Sequence, residues 1–277
     1  MDVAAVAKSI INRTKHLKHR AIKHTQANAL KPTHSSQLIM KHVSTLLGTR
    51  GNRLTFQIPS NKLQVSVTYD CIAKELNNRT TSYDALVIPS NQWMSGNANQ
   101  NTWWFSGRSN VDGKIREMCG IELTRIIQQM KQETHFTKPT KETSFLPPGT
   151  VRTTPAPHLN VQYLLHTVGP SCQTSSTTST TATTLTLKKE EKQLEETYAR
   201  CLQVAENLDV RSLLVPAIST GVFRMPFPLS AQAAIRAIEQ HPQSTCGTLQ
   251  NINFVVLEHS GAALFANEFD SAWKTNS

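Results

Sequence analysis

Apolar residues recur along this chain with two periods, and the switches between them divide it into strands and helices. Leu54-Thr55-Phe56-Gln57-Ile58 and Leu63-Gln64-Val65-Ser66-Val67 alternate, which predicts two strands about a Pro59-Ser60-Asn61 turn. The second runs on into Thr68-Tyr69-Asp70-Cys71-Ile72. Tyr83 to Ile88, Val161 to Val168, Leu213 to Ile218 and Ile252 to Leu257 are instead short and nearly continuous in apolar residues. That is the pattern of strands buried on both faces. Gly149 to Thr154 reads as a short edge strand. A helical period marks Leu38 to Leu47, Val111 to about Met130, Lys188 to Leu208, residues 230–240 and Ala263 to Trp273. Strands alternating with helices predict an α/β fold.

Two stretches lack a period and read as loops inserted at about 92–110 and 171–187. The first, Q-W-M-S-G-N-A-N-Q-N-T-W-W-F-S-G-R-S-N, is rich in Asn, Gly and Ser and holds three of the four tryptophans. Trp93, Trp103 and Trp104 either fold back onto the body or form a flap with aromatic faces for a base or ribose; folding back is the expectation. The second contains S-S-T-T-S-T-T-A-T-T, which cannot bury enough surface to offset its ordering. His166, inside an apolar strand, reads as a core histidine.

Charge separates one end from the rest. Residues 1–60 carry ten Lys/Arg and the single acid Asp2, a net +9; the remaining 19 Lys/Arg and 18 Asp/Glu leave +1. Residues 1–35 therefore read as a basic arm on a nearly neutral body, residues 36–277. Such an arm suits RNA or DNA phosphates, a targeting segment, or a solvated extension. The five cysteines are scattered, with no C-x-x-C pair, which argues against a disulfide frame or a zinc site. No apolar run approaches the ~20 residues of a membrane span. A cytoplasmic or nuclear location is the expectation, with a mitochondrial one less so, and no membrane partner.

The most informative chemistry lies in Arg211 to Pro226, R-S-L-L-V-P-A-I-S-T-G-V-F-R-M-P. A buried strand breaks into Ser219-Thr220-Gly221, and a helical pattern follows. Strand, small-residue turn and helix place an anion at the carboxyl edge of a sheet, near a helix N-terminus. Gly221 is where the backbone is expected to approach such a ligand most closely.

Four blocks, in order, make the chain similar to the macrodomain family of ADP-ribose-binding modules. V-D-G-K-I-R-E-M-C-G resembles the helix start after that family's first phosphate loop. P-G-T-V-R-T-T-P resembles its G-x-A-x-x-T-x-G element, and Y-L-L-H-T-V-G-P its I-H-T-V-G-P strand. V-P-A-I-S-T-G-V-F-R-M-P resembles its second phosphate loop. The resemblance covers roughly Leu63 to Trp273. It implies a three-layer α/β/α fold with a central mixed, mostly parallel sheet and no cofactor. It also implies roles: Asp70 accepting from the adenine amine, the Cys71 backbone N–H facing the same ring, and Asn91 holding the distal ribose. Asn110 and Val111 would face the phosphates from the helix start. Ser219, Thr220, Gly221 and Val222 would wrap the diphosphate, with Phe223 against the distal ribose. Asp112, with Asn91, would serve catalysis.

The chain departs from the family at Arg108-Ser109-Asn110-Val111, which lacks the G-G-G-V glycines, and at Pro89, which replaces the first Asn of N-A-A-N. Arg116 stands where the family has His. Being one turn beyond Asp112, Arg116 can pair with it, which would draw the carboxylate from the ribose and lower its basicity. The implied functions are hydrolysis of mono-ADP-ribosyl adducts on protein or nucleic acid, or of O-acetyl-ADP-ribose. The alternative is a non-catalytic ADP-ribose reader or a nucleic-acid-binding module.

Overall fold

The computed structural model describes residues 43–58, 63–96, 110–136, 144–172, 180–242 and 247–273, the side chains of 180–186 excepted. The basic arm of residues 1–35 and the Trp103-Trp104 pair lie outside them. Seven strands run β1 (Arg53–Gln57), β2 (Gln64–Tyr69), β3 (Ala85–Pro89), β4 (Val151–Pro155), β5 (Tyr163–Thr167), β6 (Ser212–Pro216) and β7 (Asn251–Val256). The helices are α1 (Ile72–Leu76), α2 (Val111–Glu133), α3 (Thr180–Asn207), α4 (Phe227–Glu239) and α5 (His259–Trp273).

The strands form one sheet in the order β1-β2-β7-β6-β3-β5-β4. The five inner strands are parallel to one another, while β1 and β4 pair antiparallel at the two edges. The continuous apolar runs are explained by what covers each face. On β3, Ala85 and Val87 join a core layer with α3, α4 and α5, while Leu86 and Ile88 join the opposite layer with α1 and α2. The mixed, three-layer α/β architecture is therefore as expected.

Four features differ from the sequence reading. The helix predicted from Lys188 begins at Thr180, so part of the 171–187 insert is helical. Leu187 packs on the core two turns ahead of Leu194 and carries the α3 stripe back into the Thr-rich segment. The second strand stops at Tyr69, and Cys71 opens the short helix α1. Trp93 does not fold back; it is 41% exposed. Finally, α2 is two helical pieces joined at Gly120, whose φ of 66° takes it out of the helix.

Where β1, β2 and β7 turn toward α1, the face is polar. Arg53 pairs with Glu75 and reaches Tyr83 Oη at 2.9 Å; Asn253 donates to Tyr83 Oη at 2.7 Å and accepts from Thr68 Oγ1 at 2.9 Å. Each buried partner is satisfied by another, as burial of polar groups requires.

Candidate functional site

Parallel strands point their carboxyl ends to one side, and the segments leaving β2, β3, β5 and β6 meet there. Asp70 and Cys71 follow β2, Ser90 and Asn91 follow β3, Gly169 follows β5, and Ser219 to Phe223 follow β6. Because β6 and β3 are neighbours, the loops leaving them at Ser219 and at Ser90 start side by side, and Val111 at the start of α2 shares a core layer with Phe223. β2 lies three positions from β3 in the strand order, roughly 14 Å at the usual strand spacing. The edge thus suits an elongated ligand, polar at both ends, in the crevice where such sheets bind.

The loop after β6 is held from within. Thr220 Oγ1 donates to the Ala217 carbonyl at 2.9 Å, the Arg224 N–H to Gly221 at 3.1 Å, and the Met225 N–H to Ser219 at 2.9 Å. The Cys172 N–H donates to the Phe223 carbonyl at 2.8 Å, tying the loop to the chain leaving β5. Among the described residues the N–H groups of Gly221, Val222 and Phe223 find no acceptor. Successive free N–H groups of this kind form a concavity for an anion. Ser219, at φ 66°, and Arg224, at φ 59°, are left-handed in this loop. Ser219 is buried, and its Oγ meets no partner among the described residues. Gly169 allows this packing: a Cβ there would lie 2.3 Å from Ser219 Oγ and 2.7 Å from Ile218 Cγ2. Val222 is 55% exposed, while Phe223 is partly buried against the same core layer as Val111.

Across from this loop, α2 opens at Asn110, whose side-chain oxygen accepts the Gly113 N–H at 2.7 Å. The N–H groups of the first turn, Val111 and Asp112 among them, together with the helix dipole favour an anion here. Asp112 is only 5% exposed. Its Oδ1 accepts from Arg116 Nε at 3.0 Å, so the i, i+4 pair read from the sequence is present. The net effect on Asp112 is the reverse of that expected from the pair alone. Burial raises its pKa more than the Arg116 charge and hydrogen bond, with Ser90 beside it, lower it. Ser90 Oγ faces the carboxyl without closing a hydrogen bond of good geometry.

Arg116 has a second attachment. Its Nη2 donates to the Met94 carbonyl at 3.0 Å, and its Cδ and Nε lie where a Cβ on Gly96 would stand, at 2.8 Å. Gly96 is also left-handed, at φ 64°. Residues 91–96 are therefore clasped to the first turns of α2. Asn91 builds the same loop: its amide donates to the Gly96 carbonyl at 2.8 Å, and its Oδ1 accepts from the N–H groups of Trp93 and Ser95 at 3.1 and 3.2 Å.

At the β2 end, Asp70 is buried and accepts the Cys71 N–H on Oδ1 at 2.7 Å. Cys71 precedes α1 as its N-cap residue, and its N–H is engaged by this bond. His166 is fully buried, bonded through Nε2 to Thr154 Oγ1 at 3.0 Å. Burial, with Arg116 nearby, pushes its pKa down to about 3, so it stays neutral as a core residue would. Two surface cavities, about 280 and 130 Å³, open elsewhere, against Asp84 and Asp209 and against Arg53 and Asn251; neither is lined by a predicted site residue.

Sequence reasoning missed Ser90, Met94, Gly96 and Gly169. Of these only Gly169 carried a signal, the Gly-Pro stop after a buried strand.

The Macro domain family model matches residues 97–234. A protein-ADP-ribose hydrolase of Treponema medium is 29% identical over 186 residues, 67% of this chain and 62% of that protein. The chain thus spans less than two thirds of this relative. An O-acetyl-ADP-ribose deacetylase of Salmonella typhimurium is 28% identical over 163 residues, 58% of this chain and 78% of that one. Among solved structures, the Oceanobacillus iheyensis macrodomain with ADP aligns at a TM-score of 0.59 and 21% identity, covering 79% of this chain and 95% of that one. The Trypanosoma brucei macrodomain in complex with ADP-ribose aligns at 0.54 and 20%, covering 86% and 90%.

Proposed function

The chain belongs to the macrodomain family, and from that premise we propose that it binds ADP-ribose along the carboxyl edge of its sheet and hydrolyses mono-ADP-ribosyl adducts or O-acetyl-ADP-ribose. The observation that carries this reading is the pairing of two anion-ready elements on neighbouring strands. The free N–H groups of Gly221 to Phe223 follow β6, and the α2 N-terminus with Asp112 follows β3. A diphosphate placed there has donors on both sides. Asp70, three strand positions away, supplies an acceptor for an amine at the far end of the ligand.

For an adduct, water adds its oxygen to the anomeric carbon of the distal ribose. The bond from that carbon to the adduct's oxygen breaks, and the adduct leaves with the electron pair. Asp112 takes the proton lost by the water. Burial makes its carboxylate a stronger base than an exposed one, while the Arg116 charge and hydrogen bond favour the ionised form.

A second reading, an ADP-ribose reader without chemistry, is favoured by the engagement of both candidate catalytic side chains. Asp112 is paired with Arg116, and Asn91 is tied into its own loop. Calorimetry with ADP-ribose followed by an adduct-release assay separates the two. The hydrolase reading expects binding and release, with Asp112→Asn lowering turnover roughly 10²–10⁴-fold at nearly unchanged ADP-ribose affinity. Binding without release supports the reader. No heat of binding at millimolar ADP-ribose removes both.

A further inference from the structure

Behind the anion-facing loop, three residues from three elements close a ring of hydrogen bonds. The Ile218 N–H lies 2.9 Å from Tyr198 Oη, Tyr198 Oη lies 2.9 Å from Ser230 Oγ, and Ser230 Oγ lies 3.0 Å from the Ile218 carbonyl. Chemistry fixes every direction in it. A backbone N–H can only donate, so Tyr198 accepts from Ile218; a carbonyl can only accept, so Ser230 donates to Ile218. Ser230 has then used its proton, and the Tyr198 hydroxyl donates to it. All three residues are buried, and no alternative donor pattern satisfies the ring.

The ring holds both polar backbone atoms of the residue immediately before Ser219. Gly169 lies flush against the side chains of Ile218 and Ser219. Ser219 is thereby held in its left-handed conformation at the head of the loop whose Gly221 to Phe223 N–H groups find no acceptor among the described residues. We infer that Tyr198, on α3, and Ser230, on α4, are positioning residues for the anion site: they preset the loop so that a diphosphate meets aligned donors without first ordering them. Preorganisation of this kind strengthens binding by removing the entropy loss of ordering at the moment of association. The inference rests on the ADP-ribose reading for the identity of the anion, but the presetting is a property of the unliganded protein.

The test uses Tyr198→Phe and Ser230→Ala in the full chain. Each nearly preserves shape and leaves a buried backbone or hydroxyl group without its partner. Phe56→Leu, a core change on the edge strand β1, serves as control for general destabilisation. Two quantities are measured well below the melting temperature: hydrogen–deuterium exchange over residues 217–225 without ligand, and calorimetric affinity for ADP-ribose. The expected result is exchange about tenfold or more faster in both ring variants, the scale set by one lost buried hydrogen bond, with affinity weakened about tenfold or more. The control should change neither. Unchanged exchange in both ring variants overturns the inference, as does faster exchange with wild-type affinity. An equal effect in the control overturns it too. If the wild-type protein itself ignores ADP-ribose, the functional reading fails, and the exchange measurement alone decides whether the ring presets the loop.

Discussion

At Asp112 two influences of opposite sign act on one carboxyl, and their balance sets how it responds to acid. Burial favours the protonated form and the Arg116 charge opposes it, with burial the larger. A base must be ionised to accept the proton from water. Activity should therefore fall with decreasing pH at a point above the ordinary carboxylate range. Arg116→Gln removes the opposing charge and moves this acid limb to still higher pH, which a pH profile of turnover measures. An unmoved limb would mean that another group titrates. His166 is shifted the other way, down rather than up, and the consequence is for stability. Its folded pKa is about 3 against an ordinary 6.5, so between those values the unfolded chain binds a proton that the native state refuses. Stability is thus fully present above 6.5 and is lost as pH falls through that window, by up to about 1.4 kcal/mol per pH unit. Denaturant titrations of His166→Gln across the window should show that part of the slope gone. The Asp112–Arg116 pair was legible in the sequence because both partners lie on one helix, where i and i+4 must meet. The sign of the shift was not, since the burial of Asp112 is a tertiary fact.

Elements were easiest to read where burial on both faces left an uninterrupted apolar run, as in Leu213–Val215 and Ala85–Ile88. They were hardest where weak local propensity was overridden by packing. The first turns of α3 are rich in threonine, a poor helix former, yet the helix runs through them. The clasp of residues 91–96 on α2 depends on a left-handed Gly96 and on an arginine 20 positions away, and no local pattern announces such a pair. The loop after β6 was legible as a strand-to-helix turn; that Ser219 and Arg224 are left-handed in it was not, since non-glycine residues rarely take that conformation unless their surroundings impose it. Gly169 is the part of those surroundings most open to test. Gly169→Ala drives a methyl group into Ile218 and Ser219. We expect a loss of about 1–3 kcal/mol in stability, the range for overpacking, together with weaker ADP-ribose binding. A thermal melt and a calorimetric titration on one sample measure both. Wild-type affinity in that variant would show that the loop tolerates displacement.

For the molecule as a whole, charge and candidate chemistry fall in different parts of the sequence. The net +9 lies within residues 1–60, and every candidate site residue lies beyond them. We propose that the basic segment contacts nucleic acid independently of the ADP-ribose site. Deleting residues 1–35 should then remove salt-sensitive binding to a mixed-sequence RNA, with ADP-ribose affinity held. Filter binding across a salt series checks this; undiminished RNA affinity in the truncated chain would place the contact on the body.

The strand order carries a consequence for synthesis. β7, the last strand made, lies between β2 and β6, so it is the piece that joins the β1–β2 hairpin to the rest of the sheet. Thr68 and Asn253, hydrogen-bonded across that seam, are 185 positions apart. A ribosome working at about 5–20 residues per second needs roughly 10–40 s to cover that distance. Throughout that interval the β2 edge that β7 will cover stands open and must be kept from pairing with other chains. A premature stop between Phe227 and Asn251 leaves both parts of the sheet permanently unjoined, with the anion loop after β6 complete but built on β6, β3, β5 and β4 alone.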